Sequence, residues 1–178
     1  MRCFLALPLP DDLAAQLAGF ALRLKVGRPV PEENIHLTLA FLGEQPIDAL
    51  EELNTELEML HAPPATVDLA GLTALGGGVP SVLAVGADGV DLLHKQAKQA
   101  VRRAGITLPY RRFRGHVTLV RMPQTPTTDD LASLGRALET HGAIRYPTVT
   151  LGTLSLYRSD LRADGARYER LADYPLRG

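Results

Sequence analysis

Cysteine occurs once in these 178 residues, so an internal disulfide is excluded, and so is a zinc site built on cysteine thiolates. Cys3 lies in a short apolar stretch and reads as a small buried residue. A strong charge of either sign is also missing. The formal net charge is −1, which gives no global attraction to nucleic acid or to a membrane surface, so any site for a polyanion must be local. No apolar run approaches eighteen residues, the length that would suggest a membrane span. The opening Arg2 to Leu7 resembles the start of a signal peptide, but Pro8, Pro10 and the acidic pair Asp11-Asp12 cut it short. A soluble cytoplasmic protein is the expectation. Gly76-Gly77-Gly78 lacks the Lys-Ser/Thr of a P-loop and reads as a hairpin or inter-lobe turn.

What is present is a 46% hydrophobic chain, enough to bury a core as one domain or two small lobes. Ile35 to Leu42 reads as a strand closed by Gly43-Glu44. Strict alternation puts His36, Thr38 and Ala40 on one face and Leu37, Leu39 and Phe41 on a core face. A histidine set in a strand is ordinarily a satisfied, half-buried residue. Here, however, His36-Leu37-Thr38-Leu39 recurs as His116-Val117-Thr118-Leu119, eighty residues on.

The elements around the two copies recur as well. Strand patterns at Arg2 to Leu9 and Ser81 to Ala87 precede helical patterns at Pro10 to Lys25 and Asp91 to Ala104. After each tetrad comes a helix, Pro46 to Leu60 and Thr128 to Thr140, the second capped by Thr127 or Thr128. Strands then follow: Thr66 to Leu75 in the first half, and Arg145 to Tyr157 and Arg167 to Tyr174 in the second, the last two flanking a turn at Ala163-Asp164-Gly165. Gly27 to Asn34 reads as a loop. The expected architecture is an α+β fold of two similar lobes with antiparallel-rich sheets, about 1–76 and 79–178, related by a pseudo-two-fold. The terminal strands are open to exchange between lobes, and the two histidines meet in a shared cleft. His61 and His141 sit at helix ends, and His94 lies on a helix with no partner evident.

Local charge is uneven. Glu44 to Glu58 carries six acidic residues and no basic one, a solvated helix face. Arg102 to Arg121 carries six arginines and no acidic residue, set around the second tetrad and suited to a phosphate. Two histidines on opposite sides of one phosphate supply a base and an acid near working pH. Threonine hydroxyls two residues along can hydrogen-bond the non-bridging oxygens. One histidine on each of two strands is too few ligands for a metal, and no metal or other cofactor is called for.

The paired tetrads resemble the 2H phosphoesterases, and most closely the RNA 2′,3′-cyclic phosphodiesterases, also called 2′-5′ RNA ligase-like proteins. The likeness extends to Phe4-Leu5-Ala6, Pro31-Glu32-Glu33-Asn34, Phe41-Leu42-Gly43, Arg114-Gly115, Leu156-Tyr157-Arg158-Ser159-Asp160 and Ala166-Arg167-Tyr168-Glu169. Two features depart from it: Ala40 stands where many members carry a large basic residue, and no tryptophan occurs near Leu83-Ala84 or anywhere else. The resemblance implies opening of RNA terminal 2′,3′-cyclic phosphates to 2′-phosphates, with His36 as proton donor and His116 as proton acceptor. It also implies Arg121 as a phosphate ligand beside Thr38 and Thr118. Alternation would turn Arg121 away from His116, so the strand must end or bulge near Val120. Arg111, Arg112 and Arg114 either track the RNA backbone or are merely solvated. The same site run backwards would make a 2′-5′ linkage, and a protein that only holds RNA ends is the reading from a different class. The expected partners are RNA ends or nucleotides with a cyclic phosphate; neither a membrane nor a protein partner is indicated.

Overall fold

The computed structural model describes residues 1–162 and 165–178; Ala163 and Asp164, where a turn is expected, lie outside the described residues. In chain order the strands are β1 (Arg2–Pro8), β2 (Arg28–Pro29), β3 (His36–Glu44), β4 (Ala65–Gly76), β5 (Pro80–Asp88), β6 (His116–Arg121), β7 (Val149–Leu151), β8 (Thr153–Arg162) and β9 (Gly165–Pro175). The helices are α1 (Asp11–Leu24), α2 (Ile47–Glu58), α3 (Asp91–Arg103) and α4 (Thr128–His141), with a 3₁₀ turn at Glu32–Asn34. The fold is α+β, as the alternating periodicities predict. α4 begins in a capping box: the Thr127 hydroxyl accepts from the Asp130 amide, and the Asp130 carboxylate accepts from the Thr127 amide.

One antiparallel sheet runs in the order β7-β4-β5-β6-β3-β1-β8-β9, with β2 added on β6. The glycine run Gly76-Gly77-Gly78 sits at the β4–β5 hairpin, so β4 pairs with β5. β8 returns to pair on β1, and β9 pairs on β8. The halves of the sheet, β3-β1-β8-β9 and β6-β5-β4-β7, therefore each draw strands from both sides of the β4–β5 hairpin. Two further expectations change. The stretch Arg145 to Tyr157 splits at Gly152, because its pieces pair with different partners, β7 with β4 and β8 with β1 and β9. The loop after α1 contains β2, which is too short to show a period.

The core lies on one side of this sheet. Leu37, Leu39, Val117 and Leu119 pack in one cluster with Leu13, Leu17 and Phe20 of α1 and Leu93, Ala97 and Val101 of α3. Cys3 is buried in the same cluster. The apolar stripes of the helices thus cover the face behind the tetrads, and the other face is left to carry polar groups.

Candidate active site

The two tetrads lie on neighbouring strands at the centre of the sheet. β3 and β6 pair antiparallel at Leu37 and Val117, both fully buried. Carried one residue either way, this register puts His36 opposite Thr118 and Thr38 opposite His116, all four on the face away from the helices. His36 and His116 are thus diagonal neighbours across the strand pair, at about 7–8 Å or somewhat less between Cβ atoms.

A bulge at the end of each tetrad sets the facing of the residues beyond it. β1 pairs Leu5 with Ala40 and Ala6 with Thr38, skipping Leu39. β5 pairs Leu83 with Val120 and Ala84 with Thr118, skipping Leu119. Each tetrad ends in the same irregularity, three residues after its histidine. The bulge after Thr118 brings Arg121 round so that its charge acts on His36. The bulge after Thr38 corrects the expected faces: Ala40 is buried in the core and Phe41 is 63% exposed. Ala40 therefore belongs to the core and does not line the histidine face. The small residues at the threonines are Ala6 and Ala84, whose register partners are Thr38 and Thr118.

Each imidazole is held from behind. The Nδ1 of His116 donates to the Arg114 carbonyl at 2.7 Å. Because a carbonyl only accepts, Nδ1 carries the hydrogen of this bond, and Nε2 is left outside it. His36 likewise bonds the backbone of Asn34, two residues back, and its Nε2 lies 3.0 Å from the Thr38 hydroxyl. Gly115 makes the entry to β6 possible, since a Cβ there would meet the Ala87 carbonyl oxygen at 2.2 Å.

Their surroundings differ. His36 stacks on Phe4 at 4.9 Å between ring centroids and on Tyr157 at 5.9 Å, and meets the edge of Tyr168 at 5.3 Å. Burial in this aromatic nest pushes its pKa down to about 4, and the positive charges of Arg121 and His116 push the same way, against the Asn34 backbone bond. Arg121 donates to the Tyr168 hydroxyl at 3.3 Å. Tyr157 and Tyr168 belong to the closing blocks of the sequence, and no local pattern announces that β8 returns to β1 with β9 beside it.

The remaining candidates lie further out. Arg111, Arg112 and Arg114 are exposed on the segment leading into β6. His94 does have partners: its Nδ1 bonds the Leu39 carbonyl at 2.9 Å, and its ring stacks on Phe113 at 3.8 Å. It thus pins that segment to the back of the first tetrad strand. His61 bonds the Met59 carbonyl just past the end of α2. Among the described residues, no group of three or more His, Cys, Asp or Glu side chains is placed to hold a metal ion. Nor is any helix long and apolar enough to cross a membrane.

Comparison with known proteins converges on one group. A family model described as LigT like Phosphoesterase matches residues 7–83. An RNA 2′,3′-cyclic phosphodiesterase of Thermus thermophilus is 30% identical over 202 residues, covering 100% of this chain and 91% of that protein. One from Methanocaldococcus jannaschii is 24% identical, covering 98% and 100%. The crystal structure of TT0787 of Thermus thermophilus superposes with a TM-score of 0.79 at 25% identity, covering 100% of this chain and 99% of that one.

Proposed function

This chain belongs to the LigT-like phosphoesterases, and on that premise we propose that it opens 2′,3′-cyclic phosphates at RNA ends to leave a 2′-phosphate. The observation that carries the reading is the pairing of the two tetrad strands at Leu37 and Val117, which by alternation sets His36, Thr38, His116 and Thr118 on one face. RNA 2′,3′-cyclic phosphodiesterase is the name its relatives carry.

In this mechanism His116 takes a proton from water through Nε2, and the oxygen attacks phosphorus in line with the bond to the ribose 3′-oxygen. That bond breaks, and His36 delivers its proton to the departing 3′-oxygen. The 2′-oxygen keeps the phosphate. Thr38, Thr118 and Arg121 contact the non-bridging oxygens, which carry the developing charge. The scheme asks for no metal. His36 must hold a proton to act as donor, although burial disfavours one in the free protein. The substrate supplies the remedy, because an anionic phosphate beside a poorly solvated imidazole stabilises the cation and offsets the charges of Arg121 and His116.

Incubation with a nucleoside 2′,3′-cyclic phosphate in EDTA tests this directly. The expected product is the nucleoside 2′-phosphate, at a rate unchanged by the chelator. Binding without turnover would reduce the site to an RNA-end receptor, and a requirement for added divalent metal would replace the base by a metal-bound hydroxide.

A further inference from the structure

A cavity of about 540 Å³ opens beside the tetrads at the far end of β6, within the range of small-molecule sites. Among the described residues, Arg28, Arg121 and Arg167 line it together with Glu33. Arg121 lines this cavity and its charge also reaches His36, and Tyr168 both lines the cavity and touches His36, so the cavity adjoins the tetrads. The walls are firmly tied. Asn34 donates through Nδ2 to the Ala166 carbonyl at 2.9 Å, joining the 3₁₀ turn to the start of β9. Arg28 pairs in register with Arg121 through β2 and β6. Gly27, just before β2, approaches so closely that a Cβ would stand 2.6 Å from the Arg121 carbonyl oxygen, and its φ of +49° favours glycine as well. Arg28 and Arg167 come from outside the tetrads and outside the arginine-rich stretch before β6, and only the fold brings them to Arg121.

We propose that this cavity is a second phosphate site, with Arg28 and Arg167 as its ligands. It takes the 5′-phosphate of the nucleotide whose cyclic phosphate lies between the histidines. The inference rests on the reading of the tetrads as the site of cyclic phosphate opening. In an RNA chain the nucleotide that ends in a cyclic phosphate is joined through its 5′-oxygen to the next phosphate, so a second anion lies one ribose away. The planar fork of arginine fits phosphate oxygens two at a time. The protein would thereby prefer the end of a chain to a free nucleoside cyclic phosphate.

The test compares a nucleoside 2′,3′-cyclic phosphate with the same compound bearing a 5′-phosphate. Wild-type kcat/KM should favour the 5′-phosphorylated substrate by about 10-fold or more, as expected for charge-assisted hydrogen bonds. In Arg28→Ala and Arg167→Ala that ratio should fall toward one, with Arg28→Lys keeping part of it, and thermal melting reports whether each variant is folded. Equilibrium titration with a nucleoside 2′-phosphate and its 5′-phosphorylated counterpart reads the same preference without turnover. A preference in binding that the two alanine variants abolish, with no turnover of any cyclic phosphate, would sustain the second site and overturn the hydrolase. Equal kcat/KM for both substrates would overturn the second site and leave the hydrolase standing. A preference that survives in both alanine variants would remove Arg28 and Arg167 as its ligands and overturn the proposal.

Discussion

His36 and His116 occupy equivalent places on neighbouring strands, each held by the backbone two residues behind it, yet their neighbours are of different kinds. Beside Thr38 the β1 strand offers Ala6 and then Phe4; beside Thr118 the β5 strand offers Ala84 and, past its bulge, Val82. Past the bulges, the first half presents Phe41 where the second presents Arg121. The first histidine is enclosed by rings, whereas none stacks on the second among the described residues. Repetition supplied two groups of one chemistry in one geometry. Differences one strand away then made their environments unequal, and a proton-transfer pair needs such inequality.

The largest break in that comparison comes from removing either imidazole. His36→Ala and His116→Ala should each lower turnover of a cyclic phosphate by roughly 10²–10⁴-fold. The double variant should fall far short of the product of the two, since both groups serve one displacement. Near-normal turnover in either single variant would end the two-histidine scheme.

The hydroxyls should show symmetry where the imidazoles do not. Thr38→Val and Thr118→Val keep the β-branched shape and delete one polar group. Each should cost about 1.5–3 kcal/mol of transition-state stabilisation, the range for hydrogen bonds to charged groups. Arg121→Lys keeps the charge and loses the planar fork, so it should weaken phosphate binding. Full activity in both valine variants, with unchanged melting, would show that the threonines merely occupy strand positions.

Much of this arrangement was legible in the sequence because its signals are local. Two copies of one tetrad, with similar elements before and after them, can be read directly along the chain. The alternation His36-Leu37-Thr38 separates the site face from the core, and Met122-Pro123 allows Arg121 to escape strict alternation. The bulge at Leu39 was hidden, because apolar residues on both sides of it look the same in either register. The aromatic nest was hidden for another reason: Phe4, Tyr157 and Tyr168 are brought together by β1, β8 and β9, and pairing over such sequence distances leaves no periodic trace. The short β2, and with it the approach of Arg28 to Arg121, was illegible on both grounds.

Acid pH sharpens the contrast between the two histidines. The His36 pKa of about 4 lies below the usual 6.5, so folding favours its neutral form. Its contribution to stability is fully present above about pH 6.5 and is lost as pH falls through about 4. NMR titration of the free protein should find this imidazole neutral at pH 6, and a bound nucleoside 2′-phosphate should raise its pKa. The pH profile of kcat should accordingly lie at higher pH than that of kcat/KM, with limbs that belong to the coupled pair. A His36 titration that nucleotide leaves unmoved would contradict its role as donor.

The smallest effect separates the ring of Tyr168 from its hydroxyl. The ring edge lies against His36 and helps to keep water from it, whereas the hydroxyl accepts a 3.3 Å bond from Arg121. Tyr168→Phe deletes only the second contact. A partly exposed hydrogen bond of this length contributes about 0.5–1.5 kcal/mol at most, so KM should rise by roughly 2- to 10-fold, with little change in the His36 titration. Tyr168→Leu removes the aromatic ring as well, which admits water and should move the His36 pKa upward toward 6.5. If both variants shifted that titration equally, the hydroxyl and the arginine it anchors would govern the first histidine. The enclosing rings would then cease to be the source of the difference between the two halves.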